Sequence, residues 1–290
     1  MESTDGQWFP PEWPERIRAL ARGELTPVEP RRAATVMLLR DGADGLPEVH
    51  LLRRRTSMAF AAGAYAYPGG GCDPRDAGDI AWAGPGRAEW AARMGTDETT
   101  AQQVVCAAVR ETFEEAGVLL AGASPQDVVA DTTGEDWEAD RRALVAREMS
   151  FAEFLARRSL VLRSDLLGCW ARWITPEFES RRFDAWFFVA ALPHGQRARN
   201  ASTEADRTVW MTPAAAVEGY DRGDLVMMPP TIATLRDLAA LTAPAEAVAA
   251  AAGRDLTPVL ATARLEGDQV ILSWPGHDEF EKRVVREGRE

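Results

Sequence analysis

The tightest constraint on the fold is one helical stretch whose last turn is electrostatically unfavourable. From Thr99 to Ala116, Val104, Val105, Ala108, Val109, Thr112 and Phe113 recur at helical spacing, and Gly117 follows as a left-handed closing residue would. Glu111, Glu114 and Glu115 stand at i, i+3 and i+4 in that last turn, so three carboxylates share one face within a few ångströms. Like charges at this spacing cost roughly 0.2–0.5 kcal/mol per pair. An acid at the negative end of a helix dipole costs a further ~0.3–1 kcal/mol. A divalent cation reverses both terms, because hard oxygen ligands are what Mg²⁺ and Mn²⁺ take. For a bare E-x-x-E-E, a solvated acidic face relieved by Arg110 is the better reading. The upstream loop Pro68-Gly69-Gly70-Gly71 shifts the balance, since loop glycines let backbone groups approach a metal or phosphate closely.

Around this helix, Arg32–Arg40 and Glu48–Arg54 read as strands joined by a Gly/Asp turn. Glu138–Arg158 reads as one or two amphipathic helices. Trp173–Thr175, Ala185–Leu192 and Thr208–Met211 read as strands, and Pro213–Tyr220 and Thr231–Leu241 as helices. Ala243–Ala252 reads as a weakly amphipathic helix or a linker. Val259–Leu265 and Gln269–Trp274 form a terminal hairpin about Glu266-Gly267-Asp268. Strands and helices mix without a regular βαβ repeat, so the expected class is α+β, an α/β/α sandwich.

The chain has 33 Lys+Arg against 45 Asp+Glu, a net charge of −12, which argues against nucleic acid or an anionic membrane held by bulk charge. At 46% hydrophobic residues it can bury a core, so disorder of the whole chain is excluded. Cys72, Cys106 and Cys169 are widely spaced and odd in number, which suggests neither a disulfide framework nor a zinc site. With no secretory h-region and no apolar run long enough for a membrane span, the expectation is a soluble, cytoplasmic protein.

The stretch Arg110-Glu111-Thr112-Phe113-Glu114-Glu115-Ala116-Gly117-Val118 resembles the second half of the Nudix box, G-x5-E-x7-R-E-U-x-E-E-x-G-U, and Ala64 to Gly70 resembles the strand and loop that enter it. Two departures stand out. Gly70 and Arg110 lie 40 positions apart where the pattern allows 14, so about 26 residues (about 72–97) are inserted and expected to loop out. The box's first glutamate falls on Gln102, and Thr112 replaces an aliphatic residue. The insertion, with Met58-Ala59-Phe60, Gly71-Cys72-Asp73, Trp173 to Pro176, Arg181 to Asp184 and Leu272 to Gly276, resembles the branch of proteins related to peroxisomal coenzyme A diphosphatases. The expected organisation is a lead-in over 1–30, a Nudix domain with mixed sheet over 31–242, and a helix and hairpin extension over 243–290 packed on that domain.

The resemblance implies water attack on a diphosphate assisted by Mg²⁺ or Mn²⁺. It assigns the metals to Glu111, Glu114 and Glu115, with Gly69 through its carbonyl; Glu111 is the leading general base, oriented by Arg110. Arg53, Arg54, Arg55 and Gly70 are candidates for contacting substrate, with a solvated strand end an equally good reading for the three arginines; Glu204 is a further candidate, although an exposed loop residue is its plainer reading. Arg181, Arg182 and Asp184 read as structural ion-pairing residues, and His50, His194 and His277 as structural or exposed. The substrate class implied is a nucleoside diphosphate derivative: coenzyme A or its acyl form first, with ADP-ribose, a dinucleotide or a nucleotide sugar next. The Leu51-Leu52 and Arg54 or Arg55 stretch matches the coenzyme A hydrolase motif only in part, with Tyr67 where that motif has phenylalanine. A non-hydrolytic metabolite-binding module is the alternative of another class; the intact glutamates argue against it. The aromatic lead-in (Trp8, Phe9, Trp13) and the hairpin could cover a homodimer interface or the domain's own core.

Overall fold

One strand organises the molecule by burying both its faces. In the computed structural model, which describes residues 12–57, 62–202, 204–267 and 269–274, the strand Arg31–Asp41 sends Ala34, Val36 and Leu38 into one apolar cluster and Met37 and Leu39 into another. A strand buried on alternating faces needs a layer on each side. Its neighbours are Pro47–Arg54, antiparallel, and Phe183–Ala191, parallel from Arg31↔Phe183 to Leu39↔Ala191. The eight-stranded mixed sheet runs Ala205–Met211, Pro47–Arg54, Arg31–Asp41, Phe183–Ala191, Gly168–Ile174, Val259–Leu260; Tyr65–Ala66 pairs off the second of these and Gly69–Gly71 off the third. The class is the expected α+β sandwich.

The long helix Glu98–Ala116 lies on the first face, where Val104, Val105, Ala108, Val109 and Phe113 meet Leu144 of Glu135–Val145 and Phe151 and Phe154 of Phe151–Arg157. The Asp97 carboxylate starts the long helix by accepting from the Thr100 N–H at 2.9 Å, and Gly117, at φ +68°, ends it. On the second face lie Trp13–Ala21, Pro213–Asp221, Pro229–Leu238 and Pro244–Ala250, with Val270 and Leu272 of the hairpin Thr262–Glu266/Gln269–Ser273 in the same cluster. No helix among the described residues is long and apolar enough to cross a membrane.

Several boundaries differ from the sequence reading. The strand expected at Trp173–Thr175 begins at Gly168, and Glu138–Arg158 resolves into two helices joined at the Ser150 capping box. A helix over Trp13–Ala21 escaped notice inside the Pro-rich lead-in: Pro14 takes a first-turn position, where a missing N–H is harmless, and Trp13 packs edge-on against Phe178 at 4.9 Å. Trp8, Phe9, Met58-Ala59-Phe60, Asp268, Pro275-Gly276 and His277 lie outside the described residues. Cys72, Cys106 and Cys169 are free thiols. Asp184 pairs with Arg172 through two bonds of 2.8 and 2.7 Å, whereas Arg182 donates to the Thr175 and Val28 carbonyls.

The largest departure concerns the residues between the Gly-rich loop and the long helix. Instead of looping out, they fold into the core layer. Pro74–Ala77 makes a 3₁₀ turn, Trp82–Ala83 joins a small sheet with Val161–Arg163 and Ala121–Gly122, and the helix Arg87–Met94 buries Trp90, Ala91 and Met94 against the long helix. Gln102, at the position of the box's first glutamate, explains the substitution. Its Nε2 donates to the Asp76 carbonyl at 3.2 Å and the Gly78 carbonyl at 2.6 Å, and the residue is buried. A glutamate there would set a carboxylate against two carbonyl oxygens, so an amide donor is what the inserted segment requires.

Candidate active site

The C-terminal turn of the long helix, the Gly69–Gly71 strand and the start of the inserted segment converge on one cleft of about 330 Å³, lined among others by Asp76, Arg110, Glu111, Glu114, Glu115, Ser202 and Glu204. Arg110 is the hub. Its Nη1 donates to Glu111 Oε1 at 2.7 Å and Glu114 Oε1 at 3.1 Å; Nε and Nη2 reach the two Asp76 oxygens, each at 3.1 Å; and Nη2 also donates to the Gly71 carbonyl at 2.8 Å. Glu115 is held separately: the Gly69 N–H donates to its Oε2 at 2.8 Å and the Ser202 hydroxyl to its Oε1 at 3.1 Å. Gly70 leaves the Glu111 carboxyl its place beside Arg110. A Cβ there would stand 2.5 Å from the Glu111 carboxyl carbon.

Burial and crowding mark these carboxyls electrostatically. Burial, opposed by Arg110, lifts Glu111 to about 7; burial, reinforced by Glu111, lifts Glu115 to about 8. Glu114 and Asp76 are raised in the same way, by burial against the pull of Arg110. The helix end is relieved from outside. Arg141 donates to the Glu114 and Ala201 carbonyls at 2.8 and 3.0 Å, and the N–H groups of Arg199 and Ala201 cap the Ala116 and Glu115 carbonyls at 3.0 and 3.1 Å. Cations and donors at a helix C-terminus offset the dipole penalty that the sequence shows there.

Of the residues singled out in the sequence, Arg110, Glu111, Glu114 and Glu115 line the cleft together, as does Glu204. Gly69 and Gly70 stand beside the cluster. Arg53, Arg54 and Arg55 do not line it: Arg53 pairs with Asp206 at 2.7 Å, Arg54 lies 3.8 Å from Glu204, and the Arg55 N–H donates to the Glu204 carbonyl. Besides Arg110, the guanidinium groups on the cleft belong instead to Arg31, Arg32, Arg75 and Arg147. Asp76 and Ser202 were missed. The Asp73-Pro74-Arg75-Asp76 string carried a signal, an acid followed three residues later by another; Asp76 accepts from the Asp73 N–H at 2.8 Å while reaching Arg110. His50 is buried and His194 exposed; neither is among the residues lining the cleft.

Residues 86–238 match the family described as the NUDT19 Nudix domain, which spans the long helix and its acidic turn. The chain belongs to the Nudix superfamily, in the branch of the NUDT19 Nudix domain. Over 138 residues it is 30% identical to the acyl-coenzyme A diphosphatase NUDT19 of Xenopus laevis, a match covering 43% of this chain and 36% of that relative. A Nudix hydrolase from Alicyclobacillus acidocaldarius superposes with a TM-score of 0.65 at 28% identity, over 80% of this chain and 99% of that one.

This Nudix chain offers a donor set that suits a hard divalent cation. Arg110 takes only Oε1 of Glu111 and of Glu114, so Oε2 of each accepts no hydrogen bond among the described residues. The missing Cβ at Gly70 keeps the Glu111 carboxyl clear of the strand. As the side chains stand, no three His, Cys, Asp or Glu groups among the described residues are arranged to hold a metal; Arg110, Gly69 and Ser202 hydrogen-bond to the remaining carboxylate oxygens of the turn.

Proposed function

We propose that the chain hydrolyses the diphosphate linkage of a nucleoside diphosphate derivative, coenzyme A or its acyl form foremost, with the aid of Mg²⁺ or Mn²⁺. The observation that carries this reading is the convergence of Glu111, Glu114 and Glu115 on a cleft that arginines also line. The Xenopus relative's name supports the coenzyme A assignment.

Glu111, Glu114 and Glu115 would hold the metal, with the Gly69 backbone beside them. When bound, the metal neutralises the diphosphate and makes water a stronger acid. The protein's own part is positional. Arg110 locks Glu111 and Glu114 in one orientation and is itself fixed by Asp76, so the inserted segment braces the catalytic turn. Glu111, oriented by Arg110 at 2.7 Å, is the carboxylate placed to accept a proton from water. Gly69 and Ser202 hold Glu115.

The test is a product assay over coenzyme A, acyl-coenzyme A, ADP-ribose, a dinucleotide and a nucleotide sugar, with Mg²⁺, with Mn²⁺ and with chelator. Cleavage of coenzyme A or its acyl form above the rest, lost with chelator, is the expected result. Binding across the panel without turnover would sink the hydrolase reading in favour of a sensor.

A further inference from the structure

The helix Glu135–Val145 ends on an arginine where chemistry favours glycine. Arg147 sits at φ +59°, a left-handed conformation that residues with a Cβ avoid. Its N–H donates to the Leu144 carbonyl at 2.9 Å and that of Glu148 to the Ala143 carbonyl at 2.9 Å, the paired bonds of a Schellman ending, whose left-handed residue is usually Gly. The Arg147 carbonyl is in turn held by Arg75 Nη1 at 3.1 Å. Nothing in this backbone role uses the side chain. Arg147 lines the cleft, is exposed, and its guanidinium has no hydrogen-bond or ion-pair partner among the described residues. Arg31, at the start of the central strand, shares all three properties.

Two unpartnered guanidinium groups therefore share a cleft with the carboxylate cluster. Beside Arg147 the wall is apolar: Val145 is 41% exposed, unusually open for such a side chain, and Met149 is half-buried. We propose that Arg31 and Arg147 form a phosphate-binding subsite on the rim of the cleft, with the organic body of the phosphate ester lying against Val145 and Met149. Guanidinium groups suit this role because their planar donors match phosphate oxygens two at a time. The left-handed backbone is kept at an arginine because the side chain is needed there. This subsite rests on the diphosphatase reading and identifies which wall recognises the substrate.

The phosphate is either part of the diphosphate or a separate phosphomonoester on the same molecule, and calorimetry separates the two. Metal-free protein is titrated with coenzyme A, with its dephosphorylated form and with inorganic phosphate, using wild type, R147G and R31Q. R147G relieves the backbone, so its melting temperature holds or rises while coenzyme A binds about tenfold more weakly. R31Q gives a similar loss, and added salt weakens wild type more than either variant. Loss confined to coenzyme A assigns the subsite to the phosphomonoester; equal loss for the dephosphorylated form assigns it to the diphosphate. Unchanged affinity in both variants, or a fall of several degrees in R147G melting, overturns the proposal. If the wild type still cleaves a diphosphate under those outcomes, the diphosphatase reading stands without it; if it neither cleaves nor binds any, both fall.

Discussion

Replacing Glu115 with glutamine is expected to lower metal-dependent turnover about 10³-fold or more while leaving the fold intact. The stability half of this expectation follows from the hydrogen bonds. A glutamine keeps an oxygen for the Gly69 N–H, now 2.8 Å from Oε2, and an amide that the Ser202 hydroxyl can accept from. It also removes a charge that burial disfavours. The activity half follows from the loss of one anionic oxygen donor from a cation that must neutralise a diphosphate, worth several kcal/mol in the transition state at about 1.4 kcal/mol per tenfold. Steady-state kinetics and a melting curve on one preparation check both halves. Turnover within tenfold of wild type would remove Glu115 from the metal site.

Arg110→Met is expected to be the most destabilising single change in the cleft, by about 3–5 kcal/mol at pH 8, because it strands the carboxylates of Asp76, Glu111 and Glu114 in a buried place without their shared cation. The arginine side chain is 11% exposed and that of Asp76 1%, so water cannot replace the lost donors without opening the structure. The loss shrinks as pH falls, since protonated carboxyls no longer need the guanidinium. Urea unfolding at pH 5 and pH 8 measures this; a difference from wild type below about 1 kcal/mol at pH 8 would mean that Arg110 is not the support described.

The box helix was legible because three independent signals coincide on it: apolar spacing, a closing glycine and an acidic turn that local electrostatics opposes. The flanking strands were legible as short apolar runs, and the sandwich followed. What local sequence could not show is where the inserted residues go. Gly86 and Gly95 bracket a helix of only eight residues with a modest apolar face, so Trp90 and Met94 reveal their burial only against the long helix. The choice of substrate arginines failed for a related reason. Arg53 and Arg54 end a strand that runs beside Ala205–Met211 and face the acids Asp206 and Glu204 there, and Arg55 follows it, whereas Arg147 reaches the cleft from the end of a helix about 90 residues further along the chain. Contacts that distant in sequence leave no local pattern.

The central claim, that the acidic turn is built for a cation, has a direct thermodynamic signature. Glu111 and Glu115 are raised in the folded protein to about 7 and about 8 from an ordinary value of 4.5. The folded state therefore binds protons more readily than the unfolded chain between those limits. These two carboxyls make the metal-free protein lose stability as pH climbs from about 4.5 to about 8, outweighing the opposite contribution of buried His50, which is lowered to about 4. A cation binds the ionised form and offsets that loss, so its effect must grow with pH. The measurement is the melting temperature from pH 5 to pH 8 in chelator and in Mg²⁺. The account predicts a falling curve in chelator, and a Mg²⁺-induced rise of several degrees at pH 8 that is small at pH 5 and absent in E115Q. Superimposable curves with and without Mg²⁺ and Mn²⁺ across the whole range would contradict it.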